Sequence, residues 1–214
     1  PMRLLEWYFY LASTQLALGL YDEGMETIEE SLTLSKQHHV YYMTNQLLRM
    51  GTAVGMMMTY RINTKGYFEK LKQYMLFSED EDLHVYLPYI ETHYYTTVHI
   101  NLERAKNIMS KIDINNAPDI YIPFLYLERG KILYYQHDYE QALQTFEKIA
   151  SPELPYHPID KSVLASRYTF MLKIAQQTND EVLLQKALNQ GKQIYDTLPD
   201  SFYKKQFFNT FHEK

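Results

Sequence analysis

Eight histidines are the first residues to weigh for chemistry, because imidazole binds metals and moves protons near neutral pH. His38 and His39 are adjacent, so a helix would turn them about 100° apart. No His-Glu-Xaa-Xaa-His pair occurs. Glu91 and His93 stand two apart, which on a helix points them away from a shared site. The histidines read as ordinary surface or core residues, and neither a metal site nor a cofactor is expected. Gly-Thr-Ala-Val-Gly at 51 to 55 has no Lys following it and is not a strand-to-helix turn, so it is no phosphate loop. Gly51 and Gly55 instead share one helical face, which permits close helix contact. Met56, Met57 and Met58 beside them either fill gaps in a core or form an adaptable surface. The acidic run 78 to 83 either greets a cation or basic partner, or is a solvated loop whose acids favour a helix N-terminus.

The chain has no Cys, which removes disulfides, thiolate nucleophiles and Cys-ligated zinc, and it has no Gly-Xaa-Ser-Xaa-Gly elbow. An enzyme is therefore not expected. A formal charge of -5, with no long Lys/Arg run, gives this segment no general attraction to a polyanion, so direct nucleic-acid contact is not expected. No apolar run approaches the roughly 20 residues that cross a bilayer. The most apolar stretch, Met50 to Met58, is closed by Arg49 and Arg61. The absence of Cys fits a reducing cytoplasm. Pro1 precedes Met2, which fits either a cloning scar or a segment cut from a longer chain.

Residues that recur three and four apart, with only 7 Gly and 8 Pro among 214, make helix the dominant signal. Self-comparison then finds two stretches that superimpose. One carries Tyr8, Leu11, Ala12, Gly19, Tyr21, Gly24, Ile28 and Ser31; the other carries Tyr126, Gly130, Leu133, Asp138, Tyr139, Ala142 and Phe146. Small residues such as Ala12, Gly24, Gly130 and Ala142 let two helices approach closely, while Tyr21 and Tyr139 fill the wedge at the turn.

This pattern resembles the tetratricopeptide repeat. The resemblance implies an all-α, right-handed solenoid of about five antiparallel helix pairs, near 5–36, 40–77, 83–112, 119–150 and 159–196, with a capping helix at 201–212. All of 1–214 would then form one repeat domain. Repeats two, three and five lack the full small-residue set, and Pro88 and Pro123 are tolerated only in a first helical turn, so a kink follows if either helix starts earlier.

In such stacks the first helix of each pair, helix A, lines the concave groove. The groove-facing candidates are Phe9, Ser13 and Leu16, then Asn45, Leu48 and Thr52, then Tyr94 and Thr97, then Lys131, Tyr134 and Tyr135, and finally Thr169, Lys173 and Gln176. Amides, a cation and tyrosines suit an extended peptide, which offers backbone polar groups, carboxylates and side chains. The Tyr and Leu positions equally suit packing between neighbouring repeats; Asn45, Lys131 and Lys173 favour the groove or surface. The repeat count, Tyr- and Met-rich helices and absent Cys are similar to those of bacterial cytoplasmic receptors for signalling peptides, of the Rap, PlcR and PrgX type. That resemblance implies a ligand-sensing domain of a transcriptional regulator that takes a short peptide or protein segment. The alternative is a constitutive scaffold, with the contact made by the convex face or by Phe202, Tyr203, Phe207, Phe208 and Phe211. Self-association into a homodimer stays open.

Overall fold

The computed structural model describes residues 2–41, 43–57, 64–75, 83–149 and 158–212. Among these the regular structure is all helical, with no strand. The helices are α1 (Met2–Ala17), α2 (Tyr21–Gln37), α3 (Thr44–Met57), α4 (Thr64–Met75), α5 (Leu83–His93), α6 (Leu102–Met109), α7 (Ile122–Tyr135), α8 (Tyr139–Glu147), α9 (Pro158–Thr178), α10 (Glu181–Thr197) and α11 (Phe202–His212). A π-helical turn, Tyr94–Val98, extends α5, and two 3₁₀ turns, Ile114–Asn116 and Asp119–Tyr121, lead into α7. The acidic residues 78–82, Met58 and the side chains of Met56 and Met57 lie outside the described residues.

The chain divides into two compact units. The first holds α1 to α4, together with the start of α9 and residues 199–202; the second holds α5 to α10 and α11 from Tyr203 onward.

In the first unit α1 packs on α2, α2 on α3 and α3 on α4. Leu5, Ala12, Leu16, Tyr21, Met25 and Ile28 are buried there. The glycines mark where paired helices come closest. A Cβ on Gly24 would lie 2.5 Å from Leu16 Cδ2, and one on Gly51 would lie 2.7 Å from the Tyr67 ring. Gly51 thus makes the close helix contact that its spacing suggested. Tyr67 also donates its hydroxyl proton to Glu29, which ties α4 to α2. Burial, this hydrogen bond and the Glu29 charge hold the phenol well above its usual range.

The second unit repeats the device. A Cβ on Gly130 would lie 2.3 Å from Phe146, and one on Gly191 would lie 2.3 Å from Phe207 and 3.1 Å from Tyr168 Cβ. Those aromatic rings join Leu127, Met171, Leu172, Ile174 and Ala187 in one buried cluster. The turns use a common chemistry as well. Gly19, His137 and Asn179 all have positive φ, which ends the preceding helix with a left-handed residue. Asp138 and Asp180 follow and cap the next helix, accepting from Gln141 N at 3.2 Å and Leu183 N at 2.9 Å.

Pro123 sits in the first turn of α7, where its missing N–H costs nothing. Pro88 does not sit in a first turn. It lies inside α5, so one backbone hydrogen bond to the preceding turn is lost there.

Gly130→Ala should lower stability by about 1–3 kcal/mol, because the new methyl has to displace the Phe146 ring from a packed core. Thermal unfolding measures this, and adding Phe146→Leu should recover part of the loss by vacating the contact.

Candidate functional site

Five of the residues expected on the groove converge in the second unit. Phe170 on α9 is their common centre and is buried. The Tyr134 ring lies 5.1 Å from it and the Tyr135 ring 6.0 Å, both edge to face. Lys173 Nζ stands 5.4 Å and Lys131 Nζ 5.9 Å from the same ring. Lys131 donates in turn to Thr97 Oγ1 at 3.1 Å. Thr97, Tyr134, Tyr135 and Lys173 are each half-buried, so one face of α7, α9 and the π-helical turn presents two phenols, a hydroxyl and an ammonium around a covered aromatic floor. Burial raises both tyrosines, with Tyr139 adding to the effect at Tyr134 and with Tyr134 and Glu128 lifting Tyr135 to about 12. Both therefore stay neutral hydroxyls that donate and accept.

The other candidates are placed differently. Tyr94 is half-buried on the π-helical turn, with its ring 5.3 Å from Tyr95. Thr169 is fully buried and returns its hydroxyl to Ala165 O at 2.8 Å. Gln176 is exposed, and its amide donates to Thr210 O on α11 at 3.1 Å. In the first unit Phe9 and Ser13 are half-buried, while Leu16 is spent against Gly24. Asn45, Leu48 and Thr52 are buried, against the expectation of a groove or surface role for Asn45. Asn45 Oδ1 accepts from Arg49 Nε at 3.1 Å one helical turn away, and Thr52 bonds its own helix at Leu48 O.

Lys131 is the larger correction. A groove or surface role is expected for it, and it is only 1% exposed. Such burial needs a counter-charge, since an unpaired ammonium in a low dielectric is strongly disfavoured. Glu128, one turn earlier on α7, supplies it at 2.9 Å and is 0% exposed. His93 Nδ1 approaches the same carboxylate oxygen at 2.8 Å, and the Thr96 hydroxyl donates to the other oxygen. Burial works against ionisation of Glu128, but Lys131, His93 and the hydrogen bonds from His93 and Thr96 outweigh it and hold the carboxyl down at about 2. Burial lowers His93, Lys131 lowers it further, and Glu128 opposes both, so the ring stays neutral at pH 7. Burial also lowers Lys131 against the pull of Glu128. The cluster therefore carries one buried anion matched by one buried cation.

Ring, carboxylate and ammonium within hydrogen-bond reach resemble acid–base machinery in type. Their burial argues otherwise: His93, Glu128 and Lys131 are all sealed from solvent, and no reactant reaches them. What the cluster does is fix the π-helical turn to α7 beneath the half-buried face. Sequence reading missed it because His93 and Glu128 are 35 positions apart. The available signal was local: Glu128 and Lys131 are spaced three apart and are flanked by the apolar residues Leu125, Leu127, Ile132 and Leu133.

Among the described residues no group of His, Asp and Glu side chains is placed to hold a metal ion, and no helix is long and apolar enough to cross a membrane.

Glu128→Gln should cost about 3–5 kcal/mol at neutral pH by leaving the Lys131 charge buried and unpaired. The pH dependence has a definite sign. His93 and Glu128 both bind protons more readily unfolded than folded, so the stability these two groups contribute is full above pH 6.5 and falls below it. A second loss follows as pH drops from 4.5 toward about 2. Denaturant titrations across this range should show that second loss in the wild type and its absence in Glu128→Gln.

No protein-family model matches the chain, and comparison with characterised proteins and with solved structures finds no match either.

Proposed function

We propose that this chain is a helical-repeat domain of tetratricopeptide type that binds a short peptide or protein segment on the helix A face of its second unit. The observation that carries this reading is the gathering of Tyr134, Tyr135 and Lys173 around Phe170, with Thr97 joined to it through Lys131. Half-buried tyrosines lose little side-chain entropy on contact and offer both apolar area and a hydroxyl. Lys173 adds a cation for a carboxylate, and Thr97 a hydroxyl for a peptide group. The helix pairs, their close-packing glycines and their left-handed turns support the repeat reading. A ligand-sensing role in a cytoplasmic bacterial regulator is the biological setting that fits such a face best.

A second reading has its own support. Phe208 and Phe211 on α11 are 46% and 48% exposed. They border a groove of about 350 Å³ that is also lined by Leu188, Tyr195 and Phe207, with Lys192 and Asp196 at its edge. A constitutive scaffold would make its contact there.

Random-peptide display against the purified chain, followed by calorimetry with the selected peptides, separates the two. Tyr134→Ala and Lys173→Ala should each weaken a selected peptide about tenfold or more, and Phe211→Ala should leave it unchanged. Loss confined to Phe211→Ala favours the scaffold. Selection of no peptide, or affinity indifferent to Tyr134 and Lys173, sinks the proposed face.

A further inference from the structure

The polar cluster extends beyond α7. Tyr203 on α11 meets His93 Nε2 at 3.0 Å, although the two residues are 110 positions apart. The direction of that hydrogen bond follows from valence. A neutral imidazole has one N–H, and Nδ1 faces a carboxylate that only accepts, so the proton is on Nδ1. Nε2 is then a buried lone pair, and the Tyr203 hydroxyl is its donor. Burial, with the Glu128 charge adding to it, keeps that phenol protonated well beyond its usual range.

Four titratable groups face the ring: Glu128 and Lys131 from α7, Tyr203 from α11 and Tyr89 from its own helix. Lys131 Nζ lies 3.5 Å from Nδ1 and offers that nitrogen no acceptor. In the opposite tautomer a lone pair would point at the carboxylate, while Nε2–H would turn Tyr203 into an acceptor. The second half of that exchange is harmless, because a phenol oxygen also accepts. The carboxylate of Glu128 is what selects one form, and the Tyr203 hydroxyl donates to the Nε2 lone pair that this leaves.

We infer that Tyr203 is a positioning residue for the helix A face: its hydroxyl holds the His93 ring with the Nδ1 proton on Glu128, which keeps Lys131 against Thr97, so that the floor of the face is set only when α11 is docked. The functional consequence rests on the reading of that face as a binding surface. A ligand that presses on Thr97 or Phe170 and shifts Lys131 would loosen α11, and release of α11 would weaken the ligand by the same factor. The π-helical turn suits this role. It carries both Thr96 and Thr97 and closes its hydrogen bonds one residue further along than an α-helix, a form frequent at functional sites.

Nitrogen-15 NMR of the histidines in the whole chain tests this without a ligand. Wild-type His93 should show the Nδ1-protonated tautomer and should not titrate through neutral pH. Tyr203→Phe keeps the ring and removes the hydroxyl. It should leave the tautomer as it is, shift the His93 Nε2 and Thr97 resonances and speed amide exchange over 202–212 about tenfold. Unchanged His93 Nε2 and Thr97 resonances in Tyr203→Phe overturn the inference, as does wild-type His93 with its proton on Nε2. If the variant does not fold, the wild-type tautomer decides, supported by a slowly exchanging Tyr203 hydroxyl proton. Failure of the display selection would instead count against the binding reading alone, since none of these signals depends on it.

Discussion

A lysine ammonium with 1% exposure is the most demanding group in the second unit, and its carboxylate partner organises what surrounds it. Both oxygens of Glu128 are occupied, one by Lys131 and His93 and the other by Thr96. Each partner comes with a backbone constraint. Thr96 and His93 require α5 to enter the π-helical turn at a set height on α7, and Lys131 requires Thr97 to follow one residue later. A hydrophobic core tolerates sliding by a fraction of a turn; a carboxylate with specified donors does not. Such a pair adds little net stability over an apolar replacement, because desolvation offsets most of the attraction. What it supplies is a single register for three elements.

That register is superimposed on a cruder and more repetitive mechanism. Gly24 against Leu16, Gly130 against Phe146 and Gly191 against Phe207 are the same solution, a missing side chain filled by a neighbour's large one. The helices come close where the glycine lies, so each contact also helps to fix how far one helix is displaced along another. The left-handed residues at Gly19, His137 and Asn179 then reverse the chain within a short turn. His137 and Asn179 bear the conformational cost that glycine avoids, and the Asp that follows each compensates by capping the next helix.

These repeated devices explain why the helices were legible in the sequence. Glycine spacing, Asp caps and apolar periodicity are local signals, and the segments read as helical, through to α11, are helical among the described residues. The site was legible only in part. Tyr134, Tyr135, Thr97 and Lys173 were picked by carrying the repeat resemblance onto the chain, and they gather about Phe170 and Lys131. Asn45, Thr52, Thr169 and Lys131 were misjudged for a common reason. Polarity suggested solvent, yet each found a partner one turn away or across a helix contact. A Thr hydroxyl satisfied by its own helix carries no sequence mark that separates it from one facing water. The same holds for Lys131, whose burial depends on His93 and Thr96 arriving from another helix.

The position of Tyr203 follows the same logic at longer range. α11 is held by apolar contacts such as Phe207 against Gly191, and these would survive small rotations of the helix about its own axis. The hydroxyl on His93 Nε2 would not, because a buried imidazole nitrogen left without its donor has nothing else to bond. Rotation of α11 is therefore coupled to the ring, the ring to Glu128, and Glu128 to the ammonium that reaches Thr97. Every link is a hydrogen bond between buried or half-buried side chains, so a displacement of one member is felt by the next. Under the inference drawn for Tyr203, this chain of hydrogen bonds is what would give α11 and the half-buried face a shared equilibrium.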